Sequence, residues 1–267
     1  MIRRLSALAF VSLLAGNAAG LDISTCHVTV PAGEVGVLQT DLSCVGAFVV
    51  ALDRRATLDL NGHLVKLADP PTGQQAVVRC DGRRCAVTGP GGIRCSGTAG
   101  EYATGIGMPR GGRLDVGGNV IISLCDQGIW DMGSPGAKTR VYANDVSVLY
   151  STYNGIESEK LIATNVQAND NRFSGLAVEQ LRGTNITVNY NGRFPNLKSG
   201  ITSFGGTVRV TGLIALGNWR HGVEAKKVIL TSSTLTDNHS LDIFSTRFPL
   251  LTNVMCETSN WGVCQND

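Results

Sequence analysis

One short phrase recurs through this chain and limits its possible folds more than any other feature. It is a small or polar residue, then glycine, then an aliphatic residue. The phrase appears as Thr104-Gly105-Ile106, Gln127-Gly128-Ile129, Asn154-Gly155-Ile156 and Ser174-Gly175-Leu176. It returns as Ser199-Gly200-Ile201 and His221-Gly222-Val223, and once more with Asp for Gly at Leu241-Asp242-Ile243. The steps are 23, 27, 20, 25, 22 and 20 residues. A second phrase keeps the same beat: Thr164-Asn165-Val166 up to Asn171 aligns with Thr184-Asn185-Ile186 up to Asn191. Thr211-Gly212-Leu213 to Asn218 and Thr231-Ser232-Ser233 to Asn238 follow the same frame. The closing Asn precedes the next Gly or Asp by four residues, except at Asn191, where Gly192-Arg193-Phe194-Pro195-Asn196 forms a five-residue insertion.

Each unit holds short apolar alternations such as Ile186/Val188 and Leu213/Ala215, separated by Asn or Gly turns. A single such coil cannot bury its own apolar face, so coils must stack, about 4.8 Å apart, and equivalent side chains then form columns. Asparagine at a repeated turn tolerates left-handed backbone and can hydrogen-bond its copy one coil away. Leucine-rich repeats share the period but need a leucine spacing and a helix that are missing here. A β-sandwich would leave the recurring Asn and Gly-aliphatic positions unexplained. The expected architecture is an all-β, single-stranded, right-handed parallel β-helix over residues 21–267, one domain with disulfide-stabilised ends.

The N-terminus sets an expected compartment. Arg3 and Arg4 precede an apolar run from Leu5 to Leu14 and then Ala18, Ala19 and Gly20, the order of a signal peptide over residues 1–20. The run is too short to span a bilayer, and no later segment is long and apolar enough to do so. The eight cysteines all follow it, an even count that points to disulfides in an exported chain. Of the pairings available, neighbour order favours Cys26–Cys44, Cys80–Cys85, Cys95–Cys125 and Cys256–Cys264. A metal site at Cys80, Cys85 and Cys95 is the alternative, with no second close pair and no nearby histidine to support it. The expectation is therefore no metal and no cofactor.

Charge excludes some partners. With 23 Lys and Arg against 21 Asp and Glu, and 16% charged residues, the chain lacks the dense basic face that nucleic acid rewards. Abundant glycine (33 residues) and few aromatics (6%) suit a turn-rich β protein.

From about Cys26 to Leu251 the chain resembles the right-handed parallel β-helix, or pectin-lyase-like, superfamily. Leu38-Gln39-Thr40-Asp41-Leu42-Ser43-Cys44, Leu58-Asp59-Leu60-Asn61-Gly62-His63 and Val87-Thr88-Gly89-Pro90-Gly91-Gly92-Ile93 look like opening coils of such exported proteins. The resemblance implies binding or cleavage of acidic polysaccharides along one outer face. The catalytic signatures of that superfamily are not intact. Arg220-His221-Gly222-Val223 is only faintly similar to a Gly-His-Gly motif, no Asp-Asp pair exists, and Asp69-Pro70-Pro71 is not Asp-Pro-His-Asp. Without paired carboxylates, inverting hydrolysis has no acid and base.

The remaining candidate is a surface stripe. Counting two residues before each Gly gives Asp126, Tyr153, Phe173, Lys198 and Arg220, and two residues after gives Trp130, Glu157, Ala177, Thr202 and Glu224. Metal-free β-elimination on a uronate needs a cation to neutralise the carboxylate, a base and an acid. Arg220 and Lys198 would neutralise, His221 would act as base and Tyr153 as acid. Trp130, Glu157, Arg172, Phe173 and Glu224 would bind substrate, with the five-residue insertion overhanging one wall. Against catalysis, Tyr153 and Arg220 lie three coils apart, about 14 Å. A solvated polar stripe is the plainer reading of the same residues. Two functions follow: an exported β-helix that binds an acidic polysaccharide or processes it as a divergent lyase, or a non-catalytic surface, envelope or adhesion protein. Arg54-Arg55 and Arg83-Arg84 are read as solvated faces, and Asn185-Ile186-Thr187 and Asn238-His239-Ser240 match the glycosylation pattern.

Overall fold

The computed structural model describes residues 20–69, 75–95, 103–131, 138–193 and 197–264. The expected signal peptide lies outside the described residues apart from Gly20, as do Phe194, Pro195 and Asn196 of the insertion. The described residues form a parallel β-solenoid of about nine turns, with no helix. No described helix is long and apolar enough to cross a membrane.

Each full turn runs through three sheets. Sheet 1 stacks the short strands Val28–Val30, Val50–Leu52, Gln75–Cys80, Ala103–Gly107, Gln127–Trp130, Ile201–Ser203, His221–Ala225 and Leu241–Ser245, together with the starts of Ile156–Asn169 and Leu176–Thr187. The Gly-aliphatic phrase lies here. Its aliphatics are in register as Ile106, Ile129, Ile156, Leu176, Ile201, Val223 and Ile243, each 0% exposed. The same column continues back through Val78 to Val50, in coils that lack the phrase.

Long strands such as Thr139–Leu149, Ile156–Asn169 and Leu176–Thr187 pass from sheet 2 into sheet 3 around a left-handed corner. The corner residues are Asn119, Asp145, Asn165, Asn185, Gly212, Ser232 and Asn253, all at positive φ. This explains the second sequence phrase: its Asn, Gly or Ser is the residue that turns the corner, and short polar residues or glycine adopt that backbone most cheaply.

After sheet 3 a second left-handed residue (Tyr150, Asp170, Tyr190, Gly217, Asp237) leads into a buried asparagine ladder. Asn171 donates from its backbone N and Nδ2 to Asn191 Oδ1 at 3.0 and 3.1 Å. Asn191 repeats this to Asn218 at 3.0 and 3.1 Å, and Asn218 to Asn238 at 3.1 and 2.8 Å. The ladder ends where Asn238 Nδ2 donates to Asp242 Oδ1 at 2.6 Å, while Asp242 Oδ2 accepts from the backbone of Glu257 and Thr258. The glycines of the phrase make room for it. A Cβ on Gly155, Gly175 or Gly200 would sit 2.9 Å from the Nδ2 of Asn171, Asn191 or Asn218. Asparagine and glycine thus recur together because each occupies space that the other leaves.

The disulfides are Cys26–Cys44, Cys80–Cys85, Cys95–Cys125 and Cys256–Cys264, and no cysteine is free. Two of them close the ends of the solenoid and two brace its first half. Four disulfides are the mark of an oxidising compartment.

Candidate functional site

The outer face of sheet 1 is built by register. Gly107, Trp130, Glu157, Ala177, Thr202, Glu224 and Phe244 pair in sequence from coil to coil. The stripe residues Trp130, Glu157 and Glu224 therefore share one column. Phe244 extends it by a coil, and the same two-residue count from Asp242 would have found it.

The turn that enters sheet 1 supplies the second column. Tyr153 stacks on Phe173 with ring centroids 3.9 Å apart and 27° between planes. Backbone bonds from Tyr153 N to Asp126 O (2.7 Å) and from Phe173 N to Tyr153 O (3.1 Å) hold Asp126, Tyr153 and Phe173 over one another. Asp126 Oδ1 accepts from Thr152 Oγ1 at 2.6 Å. Arg172 is exposed beside Phe173, Lys198 is half-buried, and neither has an ion-pair partner among the described residues.

The C-terminal half of the stripe is a closed polar cluster. Glu224 Oε2 receives Arg220 Nη1 at 3.1 Å and Ser199 Oγ at 3.0 Å. His221 is 5% exposed and lies flat against Phe244, centroids 5.1 Å apart. Burial holds its imidazole below the usual histidine range and Arg220 adds to that, while Glu224 and a backbone contact at Leu241 oppose it. Its Nδ1 is buried without a hydrogen-bond partner among the described residues. Next to it, Trp219 stacks on His239 at 4.7 Å. Sequence reasoning treats His221 as a surface base; the ring one coil on, Phe244, is what covers it.

At the other end Glu157 is half-buried and accepts from Asn154 Nδ2 at 2.9 Å. Burial raises its affinity for a proton, the charge of Asp131 raises it further, and the Asn154 bond works against both. Asp131 itself accepts from Thr139 Oγ1. Asn154, Asp131 and Ser199 escape a sequence reading because their roles depend on which coil lies above which.

The four residues assigned to β-elimination do not converge. Lys198, Arg220 and His221 belong to neighbouring coils, but Tyr153 stands three coils from Arg220, since Ile156, Leu176, Ile201 and Val223 are successive rungs. Arg220 already has a carboxylate. What the stripe offers chemically is a partly exposed aromatic stack, two uncommitted cations and a column of polar groups spaced about 4.8 Å apart. Of the two glycosylation patterns, Asn238 is committed to the ladder, and Asn185 is exposed with its Nδ2 on Asn165 Oδ1 at 3.0 Å. Comparison with known proteins finds no family model, no curated protein and no solved structure that matches this chain.

Proposed function

We propose that this chain is an exported, divergent pectin-lyase-like β-helix that binds an extracellular or envelope polysaccharide of acidic character along the outer face of sheet 1. The observation that carries the reading is the Tyr153–Phe173 stack, flanked by Arg172 and Lys198, cations without carboxylate partners among the described residues. Because the two rings cover each other's facing sides, the pair meets the glycan with its electropositive ring edges, and the glycan's acid groups meet these and the flanking cations. Trp130 and Glu157 extend the face for further sugar units. The signal-peptide pattern and the four disulfides support export.

Binding fits the geometry better than lyase chemistry. A lyase would need Tyr153 within hydrogen-bond reach of the atom whose carboxylate Arg220 neutralises, and three coils separate the two. The test is titration calorimetry against a panel of polyuronate and neutral oligosaccharides, with absorbance at 235 nm followed for unsaturated product. Binding of a uronate oligosaccharide is expected, weakened about tenfold (1.4 kcal/mol) in Phe173→Ala and in Lys198→Gln, with no rise at 235 nm. Failure of the folded protein to bind any glycan would leave a non-catalytic surface or adhesion role in its place.

A further inference from the structure

A dense cluster of cations lies away from this stripe, at the corner where sheet 1 turns into sheet 2 in the first coils. A cleft of about 1110 Å³ there is lined by Arg54, Arg55, Arg79, Arg83, Arg84 and Arg110, with Asp53 and Asp81 as its carboxylates. Arg79 is taken by Asp81 at 2.8 Å and stacks over Phe48, and Arg84 approaches Asp115 at 3.7 Å. Arg54, Arg55, Arg83 and Arg110 are exposed and have no ion-pair partner among the described residues. Arg55 sits at positive φ.

The chain holds these turns together against their mutual repulsion. Strands Val50–Leu52, Gln75–Cys80 and Ala103–Gly107 stack directly, so the turns that follow them lie on successive coils. Arg55 N donates to Arg84 O at 2.6 Å, and Arg113 N to Arg83 O at 2.8 Å. Gly82 permits the closest approach: a Cβ there would fall 2.4 Å from Arg54 Cα. A Cβ on Gly112, beyond Arg110, would fall 2.2 Å from Arg83 O. The Cys80–Cys85 disulfide straddles the loop that carries Arg83 and Arg84. Beyond the cleft, the outward register continues from Arg84 through Arg113 and Arg140 to Lys160, making a cationic track along sheet 2. Arg113 on this track is bound by Asp115.

Like charges gathered in a cleft destabilise a fold unless an anion answers them. The lining cations are all arginines, whose planar forks grip oxyanions with paired hydrogen bonds. Six guanidinium groups against two carboxylates leave four charges unanswered in one cleft, which favours a ligand whose anionic groups are set close together. We propose that the arginine cleft is a second binding site, independent of the sheet 1 stripe, for a saccharide carrying clustered tetrahedral oxyanion esters, sulfate or phosphate.

The test uses the full mature chain with three probes: a highly sulfated heparin octasaccharide, inositol hexakisphosphate, and an oligogalacturonate of eight units. In a Phe173→Ala/Lys198→Gln background, which removes the stripe's contribution, the two tetrahedral-oxyanion probes bind at least tenfold more tightly than the oligogalacturonate, and their affinity falls as salt rises. A preference for the octasaccharide marks a sulfated chain as the natural source, and a preference for the hexakisphosphate marks a phosphorylated headgroup. R54Q/R83Q/R110Q loses at least tenfold in affinity for either probe, whereas Lys198→Gln leaves it unchanged. Because the three side chains are exposed and repel one another, the triple variant melts no lower than wild type. No binding of either tetrahedral-oxyanion probe, equal binding of the oligogalacturonate in that background, or full affinity in the triple variant overturns the assignment. A failure confined to Phe173→Ala or Lys198→Gln bears on the stripe alone.

Discussion

Asn191→Ala is the sharpest test of how the coils are held in register. Asn191 is 0% exposed and takes part in four side-chain hydrogen bonds: Nδ2 to Ala168 O (2.9 Å) and to Asn218 Oδ1 (3.1 Å), and Oδ1 from Asn171 N (3.0 Å) and Nδ2 (3.1 Å). Truncation strips the side-chain partner from the buried Asn171 N–H and the Ala168 carbonyl and leaves a void against Gly175. Each buried polar group left unpaired costs about 1–3 kcal/mol. With the void, the expected loss is about 3–5 kcal/mol. At a urea slope of about 3 kcal/mol/M, the unfolding midpoint falls by more than about 1 M. Asn238→Ala, at the half-buried end of the ladder where water can take over, costs about 1 kcal/mol. The double variant Asn171→Ala/Asn191→Ala costs less than the sum of the singles, because the second truncation removes a partner the first has already orphaned. Urea melts followed by circular dichroism under oxidising conditions read wild type, the three single variants (Asn171→Ala, Asn191→Ala and Asn238→Ala) and the double variant. A midpoint for Asn191→Ala within about 0.2 M of wild type, or strict additivity in the double variant, would show that the ladder is not what locks the coils.

Gly175→Ala is expected to cost about 1–3 kcal/mol in a thermal melt, since its Cβ would meet Ala168 O at 2.6 Å and Asn191 Nδ2 at 2.9 Å. Removing Cys95–Cys125, a separation of 30 residues, should lower stability by about 3–4 kcal/mol in urea, a change that dithiothreitol on the wild type would exceed by opening the other bridges too. His221 binds a proton less readily folded than unfolded, so its contribution is complete above about pH 6.5 and lost as pH falls below it. The melting temperature of His221→Gln therefore drops less than that of wild type between about pH 6.5 and 5. Glu157 has the opposite sign: it holds its proton more tightly when folded, so stability declines as pH rises past the carboxylate range. The gain in melting temperature from Glu157→Gln should grow from about pH 4 to 7, and a constant difference would show that Glu157 is not desolvated.

Much of the architecture was legible because a solenoid turns sequence period into spatial stacking. Gly155, Gly175, Gly200 and Gly222 are one rung apart in the molecule as they are one phrase apart in the chain. Neighbour order also sufficed for the disulfides, since a bridge such as Cys80–Cys85 spans a single turn. The first coils were harder to read. Val50 and Val78 occupy the same column as Ile106 with no glycine before them, and turns of unequal length disguise the period. The site was only half legible. Counting from glycine finds the right columns, yet it cannot say that Phe244 covers His221 or that Glu224 takes Arg220. The arginine corner was missed because Arg54-Arg55 and Arg83-Arg84 look like separate solvated pairs. Only the missing side chain of Gly82 lets the two turns touch.

The amides of Asn171, Asn191, Asn218 and Asn238 all point the same way, each giving to the next, so their dipoles add along the axis and polarise one another. Such a relay continues only while every member both receives and donates. The carboxyl of Asp242 receives three bonds and gives none. One atom type, oxygen where its predecessors carry an amide nitrogen, is thus enough to tell the interior wire of the molecule where to stop.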